Sequence, residues 1–399
     1  MTQHIPISLY IHIPWCIKKC PYCDFNSHQA KFVTNNNISN ILEQDYITAL
    51  YLDLTQTLQY LELNNSSHSI KPLIHSIFIG GGTPSLFSAP AVSNLLNKIN
   101  NFITIPNSCE ITLEANPGTF ESKKFTEFKN IGINRLSIGV QSFNNSSLKL
   151  LGRIHDSTQA INAIKKAVDL DFNLNIDLMH SLPEQTHESA LKDLELAVNF
   201  APKHISWYQL TIEPNTAFAK RPPILPDDTV LNNIYYSGLD YLAQNNYKQY
   251  EISAFTSHPS FQSKHNLNYW RYGDYIGIGA GAHSKFSINN LNIIRQWKQK
   301  SPERYLNSAL PKLSGQSELN QQEIILEYMM NRLRILEPLS ESELKNYTHL
   351  DFSNPNLQQP IQQAIKNNWL IFSDKTPNQV LSVTELGRRF LNDLILLFA

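Results

Sequence analysis

The sequence predicts an α/β protein: an incomplete (βα)6 TIM-like barrel followed by a small helical, winged-helix-like C-terminal domain. Three observations lead there. Short β-rich runs alternate with longer segments of helical periodicity through residue 246, the pairs number six, and from about Pro302 the pattern turns to helices and a hairpin. Parallel strands need a crossover long enough to hold a helix, so such alternation builds a parallel sheet. Six units fall short of the eight of a closed barrel, which favours a laterally open form, with a doubly wound sheet as the alternative.

Strands are expected at Ser8 to Ile13, His75 to Ile79, Glu110 to Leu113, Arg135 to Ile138, Leu174 to Asp177 and His204 to Leu210. Between them, Asp45 to Leu63, Ala89 to Phe102, Ser122 to Lys129, Thr158 to Leu170, Glu188 to Phe200 and Asp228 to Asn245 repeat apolar residues at helical spacing. Residues 247–301 are irregular and rich in aromatic, Gly and His residues, and are expected to line or close the barrel. The domain over 302–399 should hold helices at Gln321 to Leu336, Ser340 to Tyr347 and Pro360 to Asn367, a hairpin over Trp369 to Ser382, and a last helix over Glu385 to Phe398. The polar tracts Asn35 to Asn40 and Asn64 to Ser69 are expected to be loops.

Composition narrows the function classes. Hydrophobic residues make up 42% and charged residues 17% of 399, enough for a large core and unlike a disordered chain. Basic residues number 33 against 34 acidic ones, so no nucleic-acid footprint is expected. No apolar run reaches the roughly 20 residues of a membrane span, and Met1 to Pro6 lacks a signal-peptide pattern, so a cytoplasmic location is expected.

Three of the four cysteines lie within eight residues, in Cys16-Ile-Lys-Lys-Cys20-Pro-Tyr-Cys23, directly after the first strand. Thiolates bind iron-sulfur clusters, and a cubane normally takes four. Three local thiolates leave one iron with an open position, as a metal that binds a small molecule requires. Structural zinc is the alternative and needs a fourth ligand such as His12 or His28. Cys109 stands alone before an apolar segment and reads as a small buried hydrophobe.

Further candidates fall at strand ends. Gly80-Gly81-Gly82-Thr83-Pro84 follows the second strand, where glycines let backbone polar groups approach a ligand or simply make a tight loop. Glu114 ends the third strand, Gln141 follows the fourth and Asp177 ends the fifth, at the rim where α/β barrels build their sites. Arg153 can pair with a carboxylate in bidentate fashion, or lie on the surface. His265-Asn-Leu-Asn-Tyr269-Trp270 combines a possible metal ligand with flat aromatic faces, and a buried aromatic cluster with a hydrogen-bonded histidine is the plainer reading. His283 is a second histidine of the same region.

The C-x3-C-x2-C motif closing the first βα loop resembles the signature of the radical S-adenosylmethionine (SAM) superfamily. That resemblance implies a [4Fe-4S] cluster on Cys16, Cys20 and Cys23, whose open iron chelates the amino and carboxylate groups of SAM. Its reductive cleavage gives a 5'-deoxyadenosyl radical. Together with Tyr10-x-His-Ile-Pro, Gly-Gly-Gly-Thr-Pro, Glu-Ala-Asn-Pro-Gly, Gly-Val-Gln-Ser-Phe, Gly-Arg-x-His and Asp-Leu-Met-His-Ser-Leu-Pro, it is similar to the branch that holds oxygen-independent coproporphyrinogen III oxidases and haem chaperones. By motif position this implies SAM contacts at Tyr10, Tyr22, which packs on the adenine, Gly81, Gly82, Thr83, Glu114, Gln141, Arg153 and Asp177.

Two features separate the members of that branch. The oxidases resemble C-x3-C-x2-C-x-C after a substantial arm, whereas Phe25 stands here at the fourth cysteine and only 15 residues precede Cys16. His265 to Trp270 resembles the H-N-x-x-Y-W motif of the haem chaperones, which implies haem contacts at His265, Tyr269 and Trp270. The expected function is a haem chaperone that passes haem to an acceptor protein, with oxidative decarboxylation of coproporphyrinogen III as the alternative. A radical SAM enzyme that modifies RNA is disfavoured by the charge.

Overall fold

Along the first strands the side chains alternate between two environments, and this alternation determines what faces what. The computed structural model describes residues 7–31, 33–34, 37–64, 73–288, 292–375 and 378–399. The expected six units are β1 (Ile7–Ile13), α1 (Asn40–Asn64), β2 (Ile74–Gly81), α2 (Ala89–Asn100), β3 (Glu110–Ala115), α3 (Thr119–Asn130), β4 (Arg135–Gln141), α4 (Ser157–Asp169), β5 (Asn173–His180), α5 (His187–Asn199), β6 (His204–Gln209) and α6 (Asp228–Gln244). Apolar residues such as Leu9, Ile11, Ile77, Ile79, Leu113, Leu136, Ile138, Leu174 and Ile176 join one core with Ala160, Ala163, Ile164, Ala190 and Leu194 of the helices. The residues between them, Ser8, Tyr10 and His12 on β1 or Asn175 and Asp177 on β5, take the opposite face of the pleat.

Seven strands run parallel, in the order β6-β5-β4-β3-β2-β1 and then β9 (Asp274–Ile278), which was not read from the sequence. Antiparallel strands extend both ends: β8 (Ala254–Thr256) and β7 (Lys248–Glu251) beyond β6, and β10 (His283–Ile288), β11 (Asn292–Lys298) and β12 (Leu313–Glu318) beyond β9. The twelve-stranded sheet ends on β7 and β12 without closing, so the α/β expectation of an open barrel holds. Register climbs along it: His12 pairs with Gly80, Glu114 with Ser137, and Gly139 with Asp177. Such stagger accompanies the strand tilt of a barrel wall.

The lower end is filled by polar side chains and plugged by α7 (Lys264–Trp270). Ser8 and Ser76 share a hydrogen bond of 2.7 Å, and His265 meets Ser76 Oγ through Nδ1 at 3.2 Å. On the far side His204 bonds Asn175 at 2.6 Å and the Tyr250 hydroxyl at 2.8 Å. Cys109 is buried, in line with its reading as a small hydrophobe.

A second core lies beyond β12, around Tyr328, Met329, Leu344, Leu357, Leu381 and Phe398. Its helices are α8 (Gln321–Arg332), α9 (Glu341–Thr348), α10 (Pro355–Lys366), α11 (Glu385–Arg389) and α12 (Leu391–Leu396), with an antiparallel sheet of β13 (Leu339–Ser340), β14 (Leu370–Lys375) and β15 (Asn378–Val383). The last helix, expected unbroken, is divided at Phe390, whose φ of −108 and ψ of 35 leave the helical region. Helix α10 starts five residues earlier than expected, because Asn354 caps it and Pro355 suits its first turn. Strand β12 lies inside 302–399 yet completes the main sheet. Met1 to Pro6 and most of the loop expected at Asn64 to Ser69 lie outside the described residues. Within the other expected loop, Asn37 and Ile38 pair with Thr34 and Val33. Among the described residues no helix is long and apolar enough to cross a membrane.

Candidate functional site

Each strand delivers its last inward residue to the upper end of the barrel, and these residues meet around one cavity of about 640 Å³. Cys16, Cys20, Tyr22, Cys23, Gly81, Gly82, Thr83, Glu114, Gln141, Arg153 and Asp177 all line it, and Trp270 closes part of its wall. Tyr10, Tyr269 and His283 line a second space of about 420 Å³, which shares Phe25, Gly81, Glu114 and Trp270 with the first. Residues that sequence spacing could only suggest are thus brought together.

The glycine turn owes its shape to close approach. Gly81 has φ +112, and a Cβ there would stand 2.4 Å from the His12 ring. A Cβ on Gly82 would stand 2.5 Å from the Trp15 carbonyl oxygen. The turn is tied to the cysteine loop, because Gly82 N–H donates to Ile13 O at 2.8 Å and Thr83 N–H to Trp15 O at 2.7 Å. Gly81 N–H donates to Glu114 Oε2 at 3.0 Å. Burial, reinforced by the nearby Asp177, pushes the Glu114 carboxyl up to about 7.

Gln141 reaches the cavity through a break in register between Gly139 and Gln141, where its φ is +69. A bulge of this kind re-aims a side chain at a strand end. Its Oε1 accepts from the Tyr208 hydroxyl at 2.8 Å. Asp177 accepts from Ser137 Oγ at 2.7 Å and Asn175 Nδ2 at 2.8 Å, and burial raises its carboxyl above the usual range. Arg153 is no surface residue. Its Nη2 donates to Asn116 Oδ1 at 2.6 Å and Gly139 O at 2.8 Å, and its Nη1 points to Cys20 Sγ at 3.6 Å.

The three cysteines are half-buried and unpaired. Burial pushes the Cys16 thiol up to about 11, against a lowering contact with Thr83. No group of three or more His, Cys, Asp or Glu among the described residues is arranged to hold a single metal ion. The donor set suits a cubane instead, whose thiolates sit on different irons and need not converge on one point. The fourth zinc ligand imagined from the sequence is committed elsewhere: His12 bonds the Tyr10 hydroxyl at 2.9 Å and Asn26 O at 2.9 Å, and His28 meets Asn26 Oδ1 at 3.2 Å.

The aromatic motif divides. His265 is 1% exposed, with Nε2 on the Tyr269 hydroxyl at 3.0 Å, Nδ1 on Ser76, and its ring stacked on Phe78 at 5.0 Å. Both nitrogens are occupied, and burial lowers the imidazole to about 3. Iron ligation by His265 therefore requires one of its two bonds, to Tyr269 or to Ser76, to open. Tyr269 and Trp270 reach the cavity walls, and His283 is exposed on the second space. Sequence reading missed Tyr208, Glu251 and Arg334, which also line the main cavity; only Tyr208 carried a signal, its inward alternation with Ser206 on β6.

The profile of the Radical SAM superfamily matches residues 10–197. The haem chaperone HemW of Haemophilus influenzae is 47% identical over all of this chain and 99% of its own length. HemW of Escherichia coli is 43% identical over 100% of this chain and 99% of its own, and that of Buchnera aphidicola from Acyrthosiphon pisum 40% over 98% of each. Among solved structures, the radical SAM enzyme coproporphyrinogen III oxidase (HemN) of Escherichia coli superposes with a TM-score of 0.78 at 21% identity, covering 99% of this chain and 90% of its own. That likeness concerns the fold alone. The cysteine loop, the open barrel and the full-length identities agree, and the chain belongs to the HemW family of the radical SAM superfamily.

Proposed function

We propose that the chain is a haem chaperone that binds haem beside a SAM-liganded [4Fe-4S] cluster and passes it to an acceptor protein. One observation carries this reading: relatives described as haem chaperones match the whole chain at 40–47% identity. Cys16, Cys20 and Cys23 would hold the cluster, which when bound supplies an open iron and an electron source for SAM. Tyr10, Tyr22, Gly81, Gly82, Thr83, Glu114, Gln141, Arg153 and Asp177 would form the SAM cradle, with Arg153 keeping a positive charge beside Cys20. Tyr269 and Trp270 would meet the haem macrocycle, with His265 holding the Tyr269 hydroxyl. We place the protein in the cytoplasm and treat 1–246, 247–301 and 302–399 as barrel, closing segment and C-terminal domain; the core around Tyr328, which takes only Tyr272 and Ile293 of its buried residues from the closing segment, supports the last division.

Two measurements test the function. Anaerobic titration of the cluster-loaded protein with haem should give a saturable Soret change, and a featureless titration ends the chaperone reading. Supplied with reductant, SAM and coproporphyrinogen III, the protein should form no stoichiometric protoporphyrinogen; formation of it would instead assign the oxidase activity. Each of Cys16→Ala, Cys20→Ala and Cys23→Ala should abolish the visible cluster absorption while leaving the fold, read by circular dichroism, in place.

A further inference from the structure

The main cavity has two walls of different origin. One is the cysteine loop and the ends of β2 to β5. The other is built by Asn266 and Trp270 of the His265 to Trp270 motif together with Glu251 and Arg334, which belong to no SAM or haem motif. Arg334 is carried there by a strap. Leu336 N–H donates to Tyr250 O at 3.0 Å, and Ile335 pairs with Glu251 in an isolated antiparallel bridge. The chain leaving α8 thus lies against β7.

The Arg334 guanidinium lies over the Trp270 ring at 5.4 Å from its centre, and its Nε donates to Met330 O at 3.0 Å. Its two terminal nitrogens make no hydrogen bond or ion pair with the described residues. Burial lowers its affinity for its proton, and the Glu251 charge acts in the opposite sense. Glu251 is 4% exposed and is itself pushed up to about 7 by burial, so near neutrality it is only partly ionised and neutralises Arg334 incompletely. The Trp270 Nε1 is buried without a partner among the described residues. A planar fork of donors, a second donor beside it and a flat aromatic face occupy one wall. A half-buried guanidinium with open donors is matched by a carboxylate, which accepts bidentate hydrogen bonds.

We propose that Arg334, braced on Trp270, is the anchor for a propionate carboxylate of haem, a role that rests on the haem-binding reading above. The anchor comes from the C-terminal side of the chain and the cluster from the N-terminal side, so the ligand spans both.

Esterified haem provides the matching change on the ligand. Wild type should bind haem at least about tenfold more tightly than haem dimethyl ester, a difference of about 1.4 kcal/mol. Arg334→Gln should lose that preference, binding the two ligands within about twofold of each other, and Arg334→Lys should recover part of it because it keeps the charge and loses the fork. Haem titrations by Soret change, on cluster-loaded protein with the melting temperature of each variant checked, provide the readout. If Arg334→Gln discriminates haem from its ester as wild type does, the anchor is overturned and haem binding stands. If wild type binds neither, the haem reading falls and the anchor falls with it. A loss of SAM binding in Arg334→Gln with the haem preference intact would assign Arg334 to the SAM carboxylate and overturn the proposal.

Discussion

Glu114 shows how a single side chain sets the conditions under which this site works. Its carboxyl, raised to about 7, is largely neutral at pH 6 and largely ionised at pH 8. The ionised form is the stronger acceptor for the N–H of an amino group chelated to iron. SAM affinity should therefore rise as pH increases through about 7, and Glu114→Gln should flatten that rise while weakening binding at pH 8 by about tenfold, about 1.4 kcal/mol; isothermal titration at pH 6, 7 and 8 checks it. Glu114, Asp177 and Gln141 were legible because each lies at or just beyond the end of a strand expected from the sequence, although β5 runs on past Asp177 to His180. Arg334 and Glu251 were not, since they carry no motif and meet only through the strap at Ile335.

At the scale of elements, the link between β2 and the cysteine loop is unforgiving. Gly82→Ala places a methyl group against Trp15 backbone, which cannot swing aside as a side chain can. The expected cost is about 1–3 kcal/mol of stability, read as a lower melting temperature together with reduced cluster occupancy after reconstitution. The six βα units were legible because buried parallel strands and amphipathic helices have distinct periods. Strands β9 to β12 escaped notice for a physical reason. The glycine-rich turn at Gly277 to Gly281 interrupts their pattern, and β12, Leu-Ser-Gly-Gln-Ser-Glu, is polar and largely exposed, held by backbone pairing with β11 and by the Gln296 amide on Gln316 Oε1 at 3.1 Å. The dividing of the last helix at Phe390 likewise leaves no mark in hydrophobic spacing.

For the molecule as a whole, a polar clasp joins the second core to the sheet. Arg295 of β11 holds Glu327 of α8 through Nε and Nη2, at 3.0 and 2.6 Å to Oε2, and its Nη1 donates to the Tyr275 hydroxyl at 2.6 Å. Tyr272 adds a 2.8 Å bond to the same carboxylate. Since Tyr275 stands edge-on to Tyr269 at 4.6 Å, the clasp reaches the cavity wall. Glu327→Gln should cost about 1.5–3 kcal/mol, the range for hydrogen bonds to charged groups, and should make the segment after residue 320 cleave faster in limited proteolysis. The likeness to the haem chaperones was legible from motifs; this clasp was not, because Arg295 and Glu327 are 32 residues apart and belong to no pattern. The Asn26 amide, finally, donates to Ala280 O and Lys300 O, both at 2.9 Å, while its backbone carbonyl holds His12. A ribosome makes the cysteines more than 250 residues before these carbonyls, so the cluster loop emerges early and gains these braces late. Cluster loading into the finished geometry must follow translation past Lys300, and a nascent chain halted before Ala280 presents its thiols on a loop that lacks them.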